Sequence, residues 1–166
     1  GYYFVEQGHW HRAEVLCCHA LELFEQLDSD HGRAHTENHL GILYTRQHRW
    51  AEAQYRLEQA CKIWRTMEDQ HGLMRGLLNL GGLYIRMEQA REALRYLEKA
   101  LSLAKLIGDE TTIGIIYMNM GHASIIGKDM LKAESYSRRA EKIFRQFSNT
   151  TGLARVWGNL GRIYSH

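Results

Sequence analysis

Leu40-Gly41-Ile42-Leu43-Tyr44 returns as Leu80-Gly81-Gly82-Leu83-Tyr84 and again as Leu160-Gly161-Arg162-Ile163-Tyr164, with Met120-Gly121 at the remaining step. Each glycine stands 40 residues from the last. Alanine keeps the same period at Ala13, Ala53, Ala93 and Ala133, and at Ala20, Ala60, Ala100 and Ala140. A fixed period of this size marks a repeat architecture, in which each unit is one supersecondary element that buries its apolar side on its neighbours. Gly1 also falls on the glycine position, so the chain is expected to open inside one repeat and close inside another.

Two helical patterns alternate within each period. In the second copy Leu73, Leu77, Leu80 and Tyr84 recur at helical spacing, and after the polar break at 87–89 so do Ala93, Leu94, Leu97, Ala100, Leu101 and Ala104. Each repeat therefore reads as a helical hairpin. Asp, Ser, Thr and Asn gather at the breaks around 28–32, 69–72, 108–111 and 148–152, where their oxygens can satisfy the free amides of helix N-termini. The spacing predicts A-helices near 32–46, 72–86, 111–126 and 151–165, and B-helices near 10–27, 50–68, 90–107 and 130–147. A partial A-helix is expected before the first B-helix, with Trp10 at the turn between His9 and His11. The whole is expected to be one repeat domain over 1–166, with units at about 1–31 (partial), 32–71, 72–110, 111–150 and 151–166 (partial).

Composition agrees. The 166 residues contain no proline, where average usage would give about eight, which favours uninterrupted helices over a loop-rich all-β chain. Twenty-one Lys and Arg against nineteen Asp and Glu leave a net charge of +2, far from the basic balance of a dedicated nucleic-acid binder. The longest apolar run, 112–120, is too short to cross a bilayer, which takes roughly 20 residues. The start, GYYFVEQGHW, has neither a basic head nor a small-residue cleavage site, so it is read as the interior of a longer chain and not as a signal peptide. Cys17, Cys18 and Cys61 are odd in number and include an adjacent pair, which points to a reducing cytoplasm.

Gly41, Gly81, Gly121 and Gly161 sit inside predicted helices, where glycine costs about 1 kcal/mol relative to alanine. Close approach of a neighbouring helix is the offsetting gain, with Ala53, Ala93 and Ala133 expected opposite them. The run Leu40, Gly41, Tyr44, Ala53, Leu57, Ala60, repeated as Leu80, Gly81, Tyr84, Ala93, Leu97, Ala100, resembles the tetratricopeptide repeat. The third copy departs from it, with Ser124 and Ser137 in place of the tyrosine and the large residue. The early aromatic of the pattern appears only as Trp157. A period of 40 is similar to the extended repeats of Pins-type polarity adaptors, kinesin light chains and bacterial peptide-sensing or ATPase-coupled transcription regulators. The resemblance implies an all-α fold, a right-handed α-solenoid of stacked antiparallel helix hairpins with A-helices on its concave face. It implies a protein-binding scaffold, without fixing the partner.

Steps of four, three and four along each A-helix then mark the exposed inner stripe. It reads His35, His39, Ile42, Arg46; then Arg75, Asn79, Gly82, Arg86; then Ile115, Asn119, His122, Ile126; and last Arg155, Asn159, Arg162, His166. No carboxylate enters it. Arginine grips carboxylate or phosphate with two bonds at once, and an asparagine carboxamide can pair with any peptide backbone. The candidate peptide-binding residues are therefore His39, Arg46, Arg75, Asn79, Arg86, Asn119, His122, Arg155, Asn159 and Arg162, and the expected partner is a protein or peptide of acidic character.

Other chemistries find no constellation. His31, His35 and His39 share a helix face at steps of four, but no cysteine or carboxylate is placed to complete a metal shell, so a solvated face is the expectation. There is no phosphate-cradling glycine loop, and the carboxylate pairs Glu68-Asp69 and Asp109-Glu110 fall at helix starts as caps. No catalysis, cofactor, nucleic acid or membrane is expected of this segment. Cys17 takes the large-residue core position of its repeat, as a small hydrophobe. The last A-helix carries Leu153, Val156, Trp157, Leu160, Ile163 and Tyr164 with no B-helix after it. This suggests an alternative role in self-assembly, copies joining as a homo-oligomer through the C-terminal helix. The leading expectation is a regulatory or sensor segment of a larger cytoplasmic protein.

Overall fold

Residues 2–165 are described by the computed structural model, with side chains from His9 onward. Gly1, and His166 at the end of the predicted stripe, lie outside the described residues. The element order is α1 (Tyr2–Gln26), α2 (Asp30–Arg46), α3 (Trp50–Thr66), α4 (Gln70–Arg86), α5 (Ala90–Ile107), α6 (Glu110–Ile126), α7 (Met130–Gln146) and α8 (Thr150–Tyr164). No strand occurs among the described residues. From α2 onward the predicted helices begin and end within two residues of these bounds.

The joints explain that regularity. Asp28, His48, Glu68, Glu88, Lys128 and Ser148 all take positive φ, as does Gly108, so a left-handed residue recurs every 20 positions. At each, the next amide reaches back to a carbonyl five residues earlier: Ser29 to Phe24, Asp69 to Trp64 and Asn149 to Phe144, at 2.8–2.9 Å. That is a Schellman close, which satisfies carbonyls the helix leaves open. Where that next residue is Ser, Asp or Asn, its side chain also caps the following helix, whereas Arg49 and Gln89 make no such bond. Ser29 accepts from the Gly32 amide, Asp109 from Thr112, Asp129 from Lys132 and Asn149 from Gly152.

The N-terminal expectation is corrected. His9, Trp10 and His11 are not at a turn but inside α1, which is one continuous helix. Gly8 stands where the 20-residue period would put a left-handed residue, yet glycine allows that conformation without imposing it. Continuing the helix keeps each backbone donor paired within the element.

Contacts cluster into two compact units, Gly1–Gly76 and Leu77–His166, the division falling within α4. In the first, α2 packs on both α1 and α3, around fully buried Ala34, Ala60 and Trp64, with Ile63 and Leu73 against them. A Cβ on Gly41 would come within 2.5 Å of Leu57 Cγ. Arg56 meets Glu37 at 3.0 Å, and Glu14 accepts from both Tyr44 Oη and Arg49 at 2.9 Å. Ala13, Cys17 and Ala20 on α1 are only half-buried, whereas Ala53, Leu57 and Ala60 are wholly buried. No described helix covers the α1 face as α2 covers α3.

In the second unit α6 packs on α5, α7 and α8, and α7 on α8. A Cβ on Gly81 would meet Leu97 Cδ2 at 2.6 Å, and one on Gly121 would meet Ser137 Oγ at 2.7 Å. The glycines thus make room first for the side chain at the large-residue position, with the expected alanine also opposite Gly81 and Gly121. Ala93 and Ala133 face them with backbone carbonyls. Gly161 meets nothing. Ser124 and Ser137 are fully buried, and their hydroxyls find no partner. On α8 the apolar face divides: Val156, Leu160 and Ile163 are buried, while Trp157 is 50% and Tyr164 60% exposed. Both exposed rings are tied to α7, Trp157 Nε1 donating to Glu141 at 3.0 Å and Tyr164 Oη donating to Glu134.

Candidate functional site

Burying Leu80, Leu83, Ile116, Met120, Val156 and Leu160 leaves one face of α4, α6 and α8 to solvent, because an α-helix presents residues three and four apart on the same side. In the second unit those faces enclose a hollow of about 550 Å³. α4 contributes Gly82, Ile85 and Arg86 to it, α6 contributes Asn119, His122 and Ile126, and α8 contributes Arg155 and Arg162. Seven of these eight belong to the predicted stripe. The structure adds Ile85 and, from the left-handed joint after α4, Glu88. Stepping along the helices could not reach Glu88, which projects from the turn.

Three guanidinium groups and one carboxylate therefore share the hollow. No carboxylate pairs with Arg86, Arg155 or Arg162 among the described residues, whereas Arg33, Arg49, Arg56, Arg138 and Arg145 all have acidic partners within 4 Å. Arg162 Nη1 lies 3.2 Å from His122 Nε2. A guanidinium only donates, so this imidazole nitrogen accepts, and the ring is neutral with its proton on Nδ1. Burial first, and Arg162 second, hold the His122 pKa below the ordinary imidazole value.

The asparagines behave differently from one another. Asn119 lines the hollow. Asn159 is buried and donates through Nδ2 to the Met118 carbonyl at 3.2 Å, so its amide is committed to holding α8 on α6. Asn79 is half-buried and is not free either. The row of three equivalent carboxamides thus reduces to one open to the hollow.

In the first unit the stripe residues His39, Arg46 and Arg75 are exposed. Arg75 Nη2 lies 3.0 Å from His35 Nδ1, and its guanidinium sits 5.3 Å from the Trp64 ring centroid. His35 in turn meets His31 edge to face at 4.4 Å. Burial, then the charge of Arg75, lowers the His35 pKa. Among the described residues no three His, Cys, Asp or Glu side chains converge as a metal would require. Cys61, buried in the core, has its thiol pushed up to about 12 by that burial.

A second depression, of about 560 Å³, is lined by Arg91, Glu92, Leu94, Arg95 and Glu98 of α5 alone. Its charges alternate and come from a single helix. No helix among the described residues is long and apolar enough to cross a membrane.

Comparison with known proteins identifies the scaffold. No curated protein sequence matches the chain. Among solved structures it is similar to BtubC (BKLC) from P. vanneervenii, with a TM-score of 0.79 at 19% identity over 94% of this chain and 66% of that one. It is also similar to a Rap protein complexed with competence and sporulation factor, with a TM-score of 0.78 at 21% identity over 96% of this chain and 45% of that one. The chain thus spans less than two thirds of either, and the likeness shows the fold, a tetratricopeptide-type helical solenoid. A tetratricopeptide-repeat family model matches residues 1–66 and 34–106. The chain belongs to the tetratricopeptide-repeat family, whose fold is a protein-interaction scaffold and not, in general, a catalyst.

Proposed function

We propose that this chain binds an acidic peptide segment of a protein partner, and that Arg86, Asn119, His122, Arg155 and Arg162 are its principal contacts. One observation carries the reading: residues from three separate helices converge on one hollow and bring three arginines without acidic partners. Such groups keep their hydration until an anion arrives, and an Arg–carboxylate pair then forms two charge-assisted bonds. Asn119 supplies a backbone-pairing carboxamide beside them. Arg46 and Arg75, with His39, lie exposed in the first unit and are proposed to engage the same kind of partner. Asn79 and Asn159 act as scaffold residues in this reading.

The role we assign is regulatory or sensory, within a larger cytoplasmic protein. Similarity to a Rap protein complexed with competence and sporulation factor supports it, as do three cysteines without disulfide partners. Peptides selected from a random library on the intact chain test the function. The selected set should be rich in acidic residues, and Arg155→Ala with Arg162→Ala should weaken the best binder at least tenfold. Equal affinity in wild type and variant would remove the reading.

Association between copies is a second reading. It is favoured by the half-covered face of α1, where Leu16 is 67% and Leu23 57% exposed, and by the open space at Gly161. Light scattering across a concentration series separates the two, since a strict monomer retains only the peptide-binding role.

A further inference from the structure

We infer that the anionic group seated in the second unit's hollow is a phosphate carried on a serine or threonine of the bound peptide, and not a carboxylate. This rests on the peptide-binding reading above and specifies its ligand.

Charge is the first argument. Arg86, Arg155 and Arg162 face one carboxylate, Glu88, and His122 is neutral because its Nε2 accepts from Arg162. The hollow therefore carries two unbalanced positive charges. An aspartate or glutamate side chain would cancel one, whereas a phosphorylated side chain brings about −1.5 to −2 near pH 7.

Donor geometry is the second. A carboxylate has two oxygens with about four acceptor sites, and one bidentate guanidinium takes two of them. Three guanidiniums, the Asn119 carboxamide and the His122 Nδ1–H exceed what two oxygens can accept. A phosphate monoester presents three terminal oxygens, one for each of the three arginines on α4 and α8, and so uses donors a carboxylate would strand.

Shape is the third. About 550 Å³ is room for a phosphorylated side chain and its flanking backbone, and Ile85 and Ile126 are among its lining residues. A Cβ at Gly82 would meet nothing within 4 Å, so the floor of the hollow is open to a peptide backbone there.

Three random peptide libraries test this, with a fixed central phosphoserine, aspartate or serine, and retained on the intact chain, on Arg155→Gln/Arg162→Gln, and on Lys105→Gln as a surface control. Thermal midpoints verify that each variant is folded. Wild type and the Lys105 variant should retain the phosphoserine library at least tenfold better than the aspartate library, and the arginine variant should lose that preference. Equal retention of the aspartate and phosphoserine libraries would overturn the inference while leaving the acidic-peptide reading standing. A phosphoserine preference that survives in the arginine variant would overturn it too, as would competition by inorganic phosphate at the peptide's own concentration. Failure to retain any library would remove both proposals.

Discussion

Gly72 lies against the face of the Trp64 indole, so close that a Cβ added there would collide with ring atoms Cδ1, Nε1 and Cγ. The pairing recurs eight residues apart at Phe24 with Gly32 and Phe144 with Gly152, where the added Cβ would stand 2.6 Å from Cδ2. In the remaining repeat both partners change together: Ala104 replaces the aromatic and Thr112 the glycine. Ring volume on the B-helix is thus exchanged for side-chain volume on the next A-helix.

Gly72→Ala should therefore destabilise the fold by about 1–3 kcal/mol through overpacking, because the ring is fully buried and cannot swing aside. Trp64→Ala alone should cost about 3–5 kcal/mol as a cavity. Combining Trp64→Ala with Gly72→Thr reproduces the Ala104–Thr112 arrangement, and the double variant should lose less than the sum of the singles by about 0.5–3 kcal/mol. Urea unfolding measures all of them, and strict additivity would contradict the size exchange.

The left-handed joints invite a simpler substitution. Glu68 adopts φ 58, which a residue with a Cβ occupies at a cost of roughly 1–2 kcal/mol, whereas Gly108 fills the equivalent position at φ 80. Glu68→Gly should raise stability by up to about 1 kcal/mol, and Gly108→Ala should lower it by about the same, since glycine alone is unstrained there. Opposite signs in thermal unfolding are the expected result.

Ser137 fills the place taken by Leu57 and Leu97 in the neighbouring repeats, yet it is wholly buried and its hydroxyl has no partner. An unmet buried hydroxyl costs about 1–3 kcal/mol, so Ser137→Ala should be stabilising by about 1 kcal/mol although it deletes a polar group. Loss of stability would mean the hydroxyl is satisfied in solution.

Acid should weaken the fold through two histidines. His35 and His122 both have pKa values lowered from 6.5, by burial first and then by Arg75 and Arg162. Each ring binds fewer protons folded than unfolded, so its contribution is present above pH 6.5 and is lost as pH falls through the folded value. The thermal midpoint should begin to drop as pH falls below 6.5, above the range where carboxylates protonate. His35→Gln with His122→Gln should flatten that drop. An unchanged slope would show that these two rings do not carry the acid sensitivity.

Much of this was legible in the sequence because the repeat constrains both helices at once. Gly41, Gly81 and Gly121 mark where a neighbour comes close, and Ser29, Asp69, Asp109 and Asn149 announce helix starts through chemistry local to the chain. The predicted stripe reached Arg86, Asn119, His122, Arg155 and Arg162 because side-chain direction follows from helical spacing. What escaped depended on neighbours. The role of Asn159 is set by the Met118 carbonyl 41 residues away, Glu88 joins the hollow from a turn whose direction is fixed by the Schellman close, and the run of α1 through Gly8 turns on a residue that permits either conformation.

The central claim is that an acidic peptide lies on the exposed face of α4, α6 and α8 in the second unit. Amide and side-chain NMR shifts of the intact chain, followed while a selected peptide is titrated in, test it most directly. The account predicts that the largest changes fall on Arg86, Asn119, His122, Arg155 and Arg162, with the His122 ring protons among them. Changes confined to the α5 surface around Arg91 and Arg95, or to Trp157 and Tyr164, would contradict it.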